Sequence, residues 1–449
     1  QQLMSSFVKT CEELKAIKIP KGQSVTDYTM SQAQEKKIDA FATINASALE
    51  RCYNLWKQEL PEVQVHYAMK CNPHPAIVKI MRSLGANFDC ASPEEVRKAL
   101  SVGAAKDEII YANPQKTWKY IQEAYSLDVN TFTFDSELEL EKMIENTPEG
   151  KRGRFVLRLL PPDESHSVCK FGVKFGANPF EAERIVRRAA ELKKQKNNFD
   201  LMGISFHVGS GCFSTESFKL AVEYSARVAD LAKSLGEPIS LLDIGGGYMT
   251  TDSMKHYINE DHNEHGEQVS FEETAKVLRE TIDSVRGSFH NLKIIAEPGR
   301  FFAGDCMTLA IRVFGRRILF DYQNASIEQI AKEPTTEEEL MKVRKISEIK
   351  YYVGDGMYGW FNSIMFDHVH PYLKYFTKDN KTVQTEKHIS HIFGPTCDSM
   401  DCILKEVPVP LLNINDYIVA EAFGAYTWAA STEFNGIPLV NVQAVYEEQ

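Results

Sequence analysis

Val65-His66-Tyr67-Ala68-Met69-Lys70-Cys71-Asn72 sets a lysine at the end of an apolar strand. An ammonium there loses hydration unless an anion or a covalent partner takes it, or its stem snorkels to solvent. Counting outward from this strand, eight short apolar runs are expected, near 63–69, 86–90, 107–111, 130–134, 154–159, 200–206, 239–244 and 292–296. Between them, apolar residues recur every three or four positions in 74–84, 93–103, 136–146, 179–195 and 215–235, the spacing of amphipathic helices. Strands alternating with helices form a parallel sheet, and eight such units closed on themselves make a (β/α)8 TIM-type barrel. An open doubly wound sheet is the alternative. The strand ends favour the barrel, because Lys70, Asp89, Asn113, Asp135, Arg158, His207, Gly245 to Gly247 and Glu297 fall at or just past successive ones. A barrel gathers all of these at one mouth.

After Arg300 the pattern changes. Segments 308–320, 349–353, 388–393, 416–421 and 437–446 read as strands without long helices between them. The expectation is an α/β chain with the barrel over 46–300, and a β-rich domain from 1–45 and 301–449 that contributes to the active site and a dimer interface. Weak strand signals lie at Ser24-Val25-Thr26 and Ala40-Phe41-Ala42-Thr43. Ser47 is expected to cap a helix running to Glu59, which Pro61 cannot continue. The charged stretch 321–347 reads as a solvated loop with a helical turn.

In a chain of 449 residues, 43% hydrophobic and 25% charged residues describe a globular protein with room for two domains. The net charge of -11 disfavours nucleic acid and anionic membrane as partners, whereas a small cationic substrate is attracted. No run approaches the roughly 20 apolar residues that span a bilayer, and the first residues form no apolar signal region. Nine cysteines without paired spacing fit free thiols in a reducing compartment, so a cytoplasmic protein is expected. His368 and His370 lack a third ligand, and no metal is expected.

Four features belong together. Lys70 can form an imine with an aldehyde once deprotonated. Asp243-Ile244-Gly245-Gly246-Gly247-Tyr248 follows a strand and lets backbone N–H groups close on a phosphate, although such a run also makes a tight barrel turn. Glu297-Pro298-Gly299-Arg300 offers a carboxylate to a ring nitrogen, with Gly299 and Arg300 to complete a phosphate cradle; an ion pair capping the strand is the plainer reading. Ser205-Phe206-His207-Val208-Gly209-Ser210-Gly211 supplies an imidazole and a hydroxyl, which singly could be a core side chain and a turn former. Jointly, an amine, a phosphate turn, a carboxylate and a flat side chain suit pyridoxal 5'-phosphate.

These motifs, with Tyr111-Ala112-Asn113-Pro114, Phe134-Asp135-Ser136, Val173-Lys174-Phe175-Gly176-Ala177, Gly394-Pro395-Thr396-Cys397-Asp398 and Gly424-Ala425-Tyr426-Thr427, resemble the eukaryotic ornithine decarboxylase family. That family belongs to the alanine-racemase-fold decarboxylases of basic amino acids, and the resemblance runs from about residue 40 to the end. It implies decarboxylation of L-ornithine to putrescine, the opening step of polyamine synthesis, by a homodimer with shared active sites. Lys70 corresponds to the lysine that holds the cofactor, Glu297 to the partner of the ring nitrogen and His207 to the imidazole stacked on the ring. Asp89, Glu95 and Arg158 match the surrounding network. Ser210, Gly245, Gly246, Gly247, Gly299, Arg300 and Tyr426 match the phosphate site. Cys397 matches the acid that protonates the α-carbon. Asp398 and Asp367 match the receivers of the distal amine, with Phe434 lining the site. Lys174 and Asp401 match a pair bridging subunits.

The family pattern is not followed everywhere. Phe366 replaces a usual tyrosine, and Trp360 stands where a smaller residue is common, which leaves arginine or lysine open as substrate. The sequence stops soon after its last expected strand, without a long acidic tail, so an antizyme-like regulator is not expected. A catalytically inactive, antizyme-inhibitor-like binding protein is the alternative from another class, and retention of Lys70, Asp89, Arg158, Gly245, Glu297 and Cys397 together speaks against it. A racemase on the same barrel would need a second acid/base, usually tyrosine, where Cys397 and Asp398 stand.

Overall fold

A computed structural model describes residues 2–161, 167–169, 174–212, 214–257 and 269–448; the side chains of 2–5, 167–169, 210 and 211 also lie outside the described set. The chain divides into two compact units. The first comprises Gln1–Ala16, Asn45–Cys306 and Gly424–Ala429, and the second Ile17–Ile44, Met307–Phe423 and Ala430–Gln449.

The first unit is a closed barrel of eight parallel strands. They are β1 (Val63–Ala68), β2 (Asn87–Cys90), β3 (Ile109–Tyr111), β4 (Thr131–Phe134), β5 (Gly153–Leu159), β6 (Phe199–Phe206), β7 (Leu241–Asp243) and β8 (Lys293–Ala296). Pairing of Ile294 with Val63 closes the ring. The expected strands differ from these by one or two residues at their ends. Ile110, Val156, Leu241 and Ile295, from β3, β5, β7 and β8, pack into one buried cluster. Side chains buried from so many strands make the barrel a packed core.

The helices start where short polar side chains can take orphan N–H groups. Ser136 accepts from Glu139 N–H at the head of Glu137–Glu145, and Asn178 with Glu181 forms a capping box before Pro179–Lys196. The helix Ala46–Glu59 is capped by Asn45, whose side chain accepts from Ser47 N–H at 3.1 Å. Ser47 is therefore inside the helix, and the expected cap was two residues late. The N-terminal helix Gln2–Glu13 packs with the barrel unit, burying Phe7 and Cys11 and pairing Glu13 with Lys79 at 2.7 Å, although a boundary at residue 45 assigns it to the β-rich part.

The second unit is built on a nine-stranded sheet. Its main order is Ile17–Ile19, Asn441–Glu447, Ala40–Asn45, Met307–Phe320, Ile346–Val353, Lys387–Phe393 and Cys402–Pro410. Tyr417–Ala420 pairs with both Met307–Phe320 and Lys374–Phe376. Residues 25–35, expected as strand near Ser24, form a helix instead. Ser24 caps it by accepting from Asp27 N–H at 3.0 Å, and Met30 and Ala33 are buried at helical spacing. The charged stretch carries two short helices, Ile327–Ile330 and Glu337–Val343, with no buried residue. Among the described residues, no helix is long and apolar enough to cross a membrane.

Candidate active site

Lys70 lies in a single 3-10 turn, Met69–Cys71, that ends β1; its neighbours Met69 and Cys71 are buried, while its own side chain is exposed. Two contacts fix this turn. Ala68 N–H donates to the Pro298 carbonyl at 3.1 Å, and Tyr426 N–H donates to the Cys71 carbonyl at 3.0 Å. A methyl added at Gly299 would lie 2.7 Å from Cys71 Cβ, so the loop after β8 packs directly on the lysine turn.

Acids and bases converge there. Asp89 ends β2 and Arg158 lies in β5, both buried, and Glu297 follows β8. Burial raises the Asp89 carboxyl well above its ordinary range, the Glu297 charge adds to this, and Lys70 and Arg158 oppose it. Glu297 is raised by its surroundings first, then by Asp243, with Lys70 and Arg158 again opposing. Glu95 is also raised by burial, offset by the Ala91 N–H it accepts at 2.6 Å and by Lys70. Lys70 thus acts electrostatically on three carboxyls, two at strand ends and Glu95 in the first turn of the helix Pro93–Ser101. The Arg158 guanidinium also lies 5.5 Å from the Phe175 ring centre.

His207 follows β6. Its Nδ1 accepts Gly209 N–H at 3.0 Å, which puts the proton of a neutral ring on Nε2. Burial, then Arg158 and Lys70, push its pKa well below the ordinary value. Nε2 faces the glycine turn, since a methyl at Gly246 would come 3.0 Å from it and 2.8 Å from the Glu297 carbonyl. Gly245 (φ 63°) and Gly247 (φ 97°) have no room for a side chain: a Cβ would sit 2.1 Å from the Phe206 carbonyl and 2.3 Å from the Gly209 carbonyl. The turn is closed against its neighbours, and the Gly245 N–H is taken by Asp243 Oδ1 at 2.9 Å. Arg300, 4% exposed, stacks on Tyr257 and Tyr426 with centroid distances of 4.6 and 5.0 Å and donates to the Tyr257 hydroxyl. The Ser210 side chain lies outside the described residues. Lys174 is exposed, 5.1 Å from the Phe175 ring centre.

In the β-rich unit a second group forms. Cys397 is exposed, with its N–H bonded to Asn435 Oδ1 at 3.0 Å. Asp398 accepts Met400 N–H at 3.0 Å and the Tyr358 hydroxyl, and these two bonds lower its pKa. Tyr358 stacks on Phe434 with centroids 4.2 Å apart, which joins Phe434 to the same cluster. Asp401 is 1% exposed and accepts from Met357 N–H, Thr396 N–H and Thr396 Oγ1–H at 2.7 to 3.0 Å. Asp367, 5% exposed, ends the helix Asn362–Phe366. Sequence reasoning passed over Asp243, Tyr257 and Tyr358. Only Asp243 carried a signal, as the acid that ends a strand immediately before the glycine run.

Residues 46–304 match the family described as pyridoxal-dependent decarboxylase, pyridoxal binding domain. The chain is 34% identical to the ornithine decarboxylase of Rattus norvegicus over 448 residues, covering 98% of this chain and 88% of that protein. It is 35% identical to antizyme inhibitor 2 of Xenopus laevis over 407 residues, 91% of this chain and 80% of that one. The fold is similar to that of the Paramecium bursaria Chlorella virus arginine decarboxylase bound to agmatine, with a TM-score of 0.75, 29% identity, and coverage of 94% of this chain and 99% of the other. The chain belongs to the family of pyridoxal-dependent decarboxylases: it is an amino-acid decarboxylase whose cofactor is pyridoxal phosphate.

Proposed function

We propose that the protein decarboxylates L-ornithine to putrescine and carbon dioxide as a homodimer. When bound, pyridoxal phosphate supplies an electron sink for the pair left on the α-carbon. The residues of the barrel mouth fit that group. Lys70 presents its amine to the cofactor aldehyde from a turn pinned at Ala68 and Cys71. Gly245 to Gly247, Gly299, Arg300 and Tyr426 would line the phosphate site: the glycine turn leaves no room for side chains, Gly246 and Gly247 would supply backbone N–H groups beside the Gly245 N–H held by Asp243, and the Arg300 guanidinium would add its positive charge. Glu297 would pair with the ring nitrogen, and the neutral His207 would stack on the ring. Asp89 and Arg158 set the charge around them.

One observation carries the substrate class: Asp398 is held as an anion by Met400 N–H and Tyr358, beside an exposed thiol and an aromatic face. Such a carboxylate receives the distal ammonium of a basic amino acid, with Asp367 as the second acid. Cys397 returns the proton to the α-carbon. Dimer formation is supported by Met365, Phe366, Met400 and Phe434, which are 43 to 71% exposed in the single chain, the kind of apolar surface a second copy covers.

The test is a substrate panel on purified protein with added cofactor. Ornithine is expected to give putrescine faster than arginine or lysine gives its amine. Arginine or lysine leading would refute the assignment. Visible absorbance on adding pyridoxal phosphate, absent from Lys70→Ala, is the expected sign of a working site; a wild type that stays colourless would instead support an inhibitor-like protein.

A further inference from the structure

Asp243 ends β7 and is completely buried. Its Oδ1 accepts Gly245 N–H at 2.9 Å, which ties the side chain to the glycine turn. Oδ2 has no N–H or O–H donor in range. Asp243 lies opposite Ile295 in the pairing of β7 with β8, and Glu297 N–H donates to the Gly245 carbonyl at 2.7 Å, which brings the Glu297 carboxyl beside the Asp243 side chain, within reach of a hydrogen bond between the two acids. Two carboxylates cannot make that bond, because both only accept; an acid and a carboxylate can. The local charge agrees. Asp89, Glu95, Asp135, Asp243 and Glu297 act on or with Arg158 and Lys70, five acids against two cations. Tyr248, the other titratable group near Asp243, spends its hydroxyl proton on the Ile244 carbonyl at 3.0 Å. The proton between the carboxyls therefore belongs to the pair.

We propose that Asp243 is a positioning residue for Glu297: the two acids share one proton, so the pair carries a single negative charge and β7 holds the Glu297 carboxyl from behind. This rests on the reading that Glu297 faces the cofactor's ring nitrogen. With a protonated ring nitrogen bound there, the proton of the pair would rest on Asp243, its O–H bond forming as that on Glu297 breaks, so that Glu297 would be an anion towards the ring and the pair would neither take up nor release a proton. Asp243 is the store that makes this possible without leaving two carboxylates side by side.

The experiment uses the full chain, first without cofactor. Infrared difference spectra of wild type minus D243N and wild type minus E297Q are each expected to show the loss of one protonated carboxyl. The asparagine amide donates to Glu297 and leaves it ionised, so the band vanishes although Glu297 remains. A band that survives in D243N overturns the proposal, since the proton then belongs elsewhere. Should D243N not fold, D243S, whose hydroxyl also donates, makes the same prediction. With pyridoxal phosphate added, D243N is expected to bind it about tenfold more weakly, roughly what the loss of one such contact is worth. Unchanged affinity together with an unchanged pH profile of the visible absorbance would overturn the positioning role. A wild type that shows the shared carboxyl but never binds the cofactor sinks the functional reading alone, which keeps the two failures apart.

Discussion

His74 caps the helix Pro75–Leu84 with an imidazole nitrogen: Nδ1 accepts Ala76 N–H at 3.2 Å, and the ring meets Trp428 edge-on at 4.9 Å. A second proton would destroy the cap, and burial pushes the pKa down to about 4. The sign follows from the folded value lying below that of the unfolded chain. Between about pH 6.5 and 4 the unfolded chain binds more protons, so stability is complete above that window and falls as pH drops through it. One such group contributes at most about 3 kcal/mol. Asn is a good cap that cannot be protonated. In His74→Asn, the fall in urea midpoint between neutral pH and about pH 4.5 is expected to shrink. An equal fall in both proteins would mean that His74 is not part of the acid response. Tyr358 is read the same way on the β-rich unit. Its hydroxyl and Met400 N–H hold the Asp398 pKa down, so Tyr358→Phe is expected to raise it and to shift the acid limb of kcat/KM upward. An acid limb that stays in place would separate Asp398 from substrate binding.

At the scale of elements, the barrel strands were legible because each is a short apolar run buried on both faces, between helices that announce themselves by spacing and caps. Elements whose sequence conflicts with their setting were not. Cys402–Pro410 contains Pro408 and Pro410, which read against a strand, yet it lies at the end of the sheet order, where a missing N–H costs little. In the helix over 25–35 only Ser24-Val25-Thr26 gives a weak strand signal, from its β-branched Val25 and Thr26, and the polar residues after it carry none. Lys116 gave no signal at all. It sits in the loop after β3, fully buried, and donates to Glu139 at 2.9 Å, to the Asn113 carbonyl at 2.9 Å and to the Thr133 carbonyl at 2.6 Å. It thereby ties the end of β4 to the helix Glu137–Glu145, where Lys142 also pairs with Glu139. Removing one member of a buried pair strands the other charge, a loss of about 3–5 kcal/mol. Lys116→Met is expected to lose that much in urea unfolding of the full chain. A loss below about 1 kcal/mol would mean that Lys142 alone satisfies Glu139.

At the scale of the whole molecule, what the sequence could place were groups with chemistry of their own: Lys70, Glu297, His207 and the glycine turn sit at consecutive strand ends, and a barrel brings such ends together. The link between Asp243 and Glu297 was hidden because it depends on which oxygen burial leaves without a donor, a fact of packing. The β-rich residues pose a different question. Cys397 and Asp398 belong to one compact unit and Lys70 to the other. If a site is completed by the partner's copy, two inactive variants can rescue each other. Lys70→Ala and Cys397→Ala subunits, mixed equally and allowed to exchange, give half mixed dimers. Each of these holds one site with both faults and one with none, so roughly a quarter of wild-type activity returns. If each chain completes its own site, every site keeps one fault and mixing restores nothing. Activity against mixing ratio separates the two cases, because shared sites give a maximum at equal proportions and self-contained sites give a flat line.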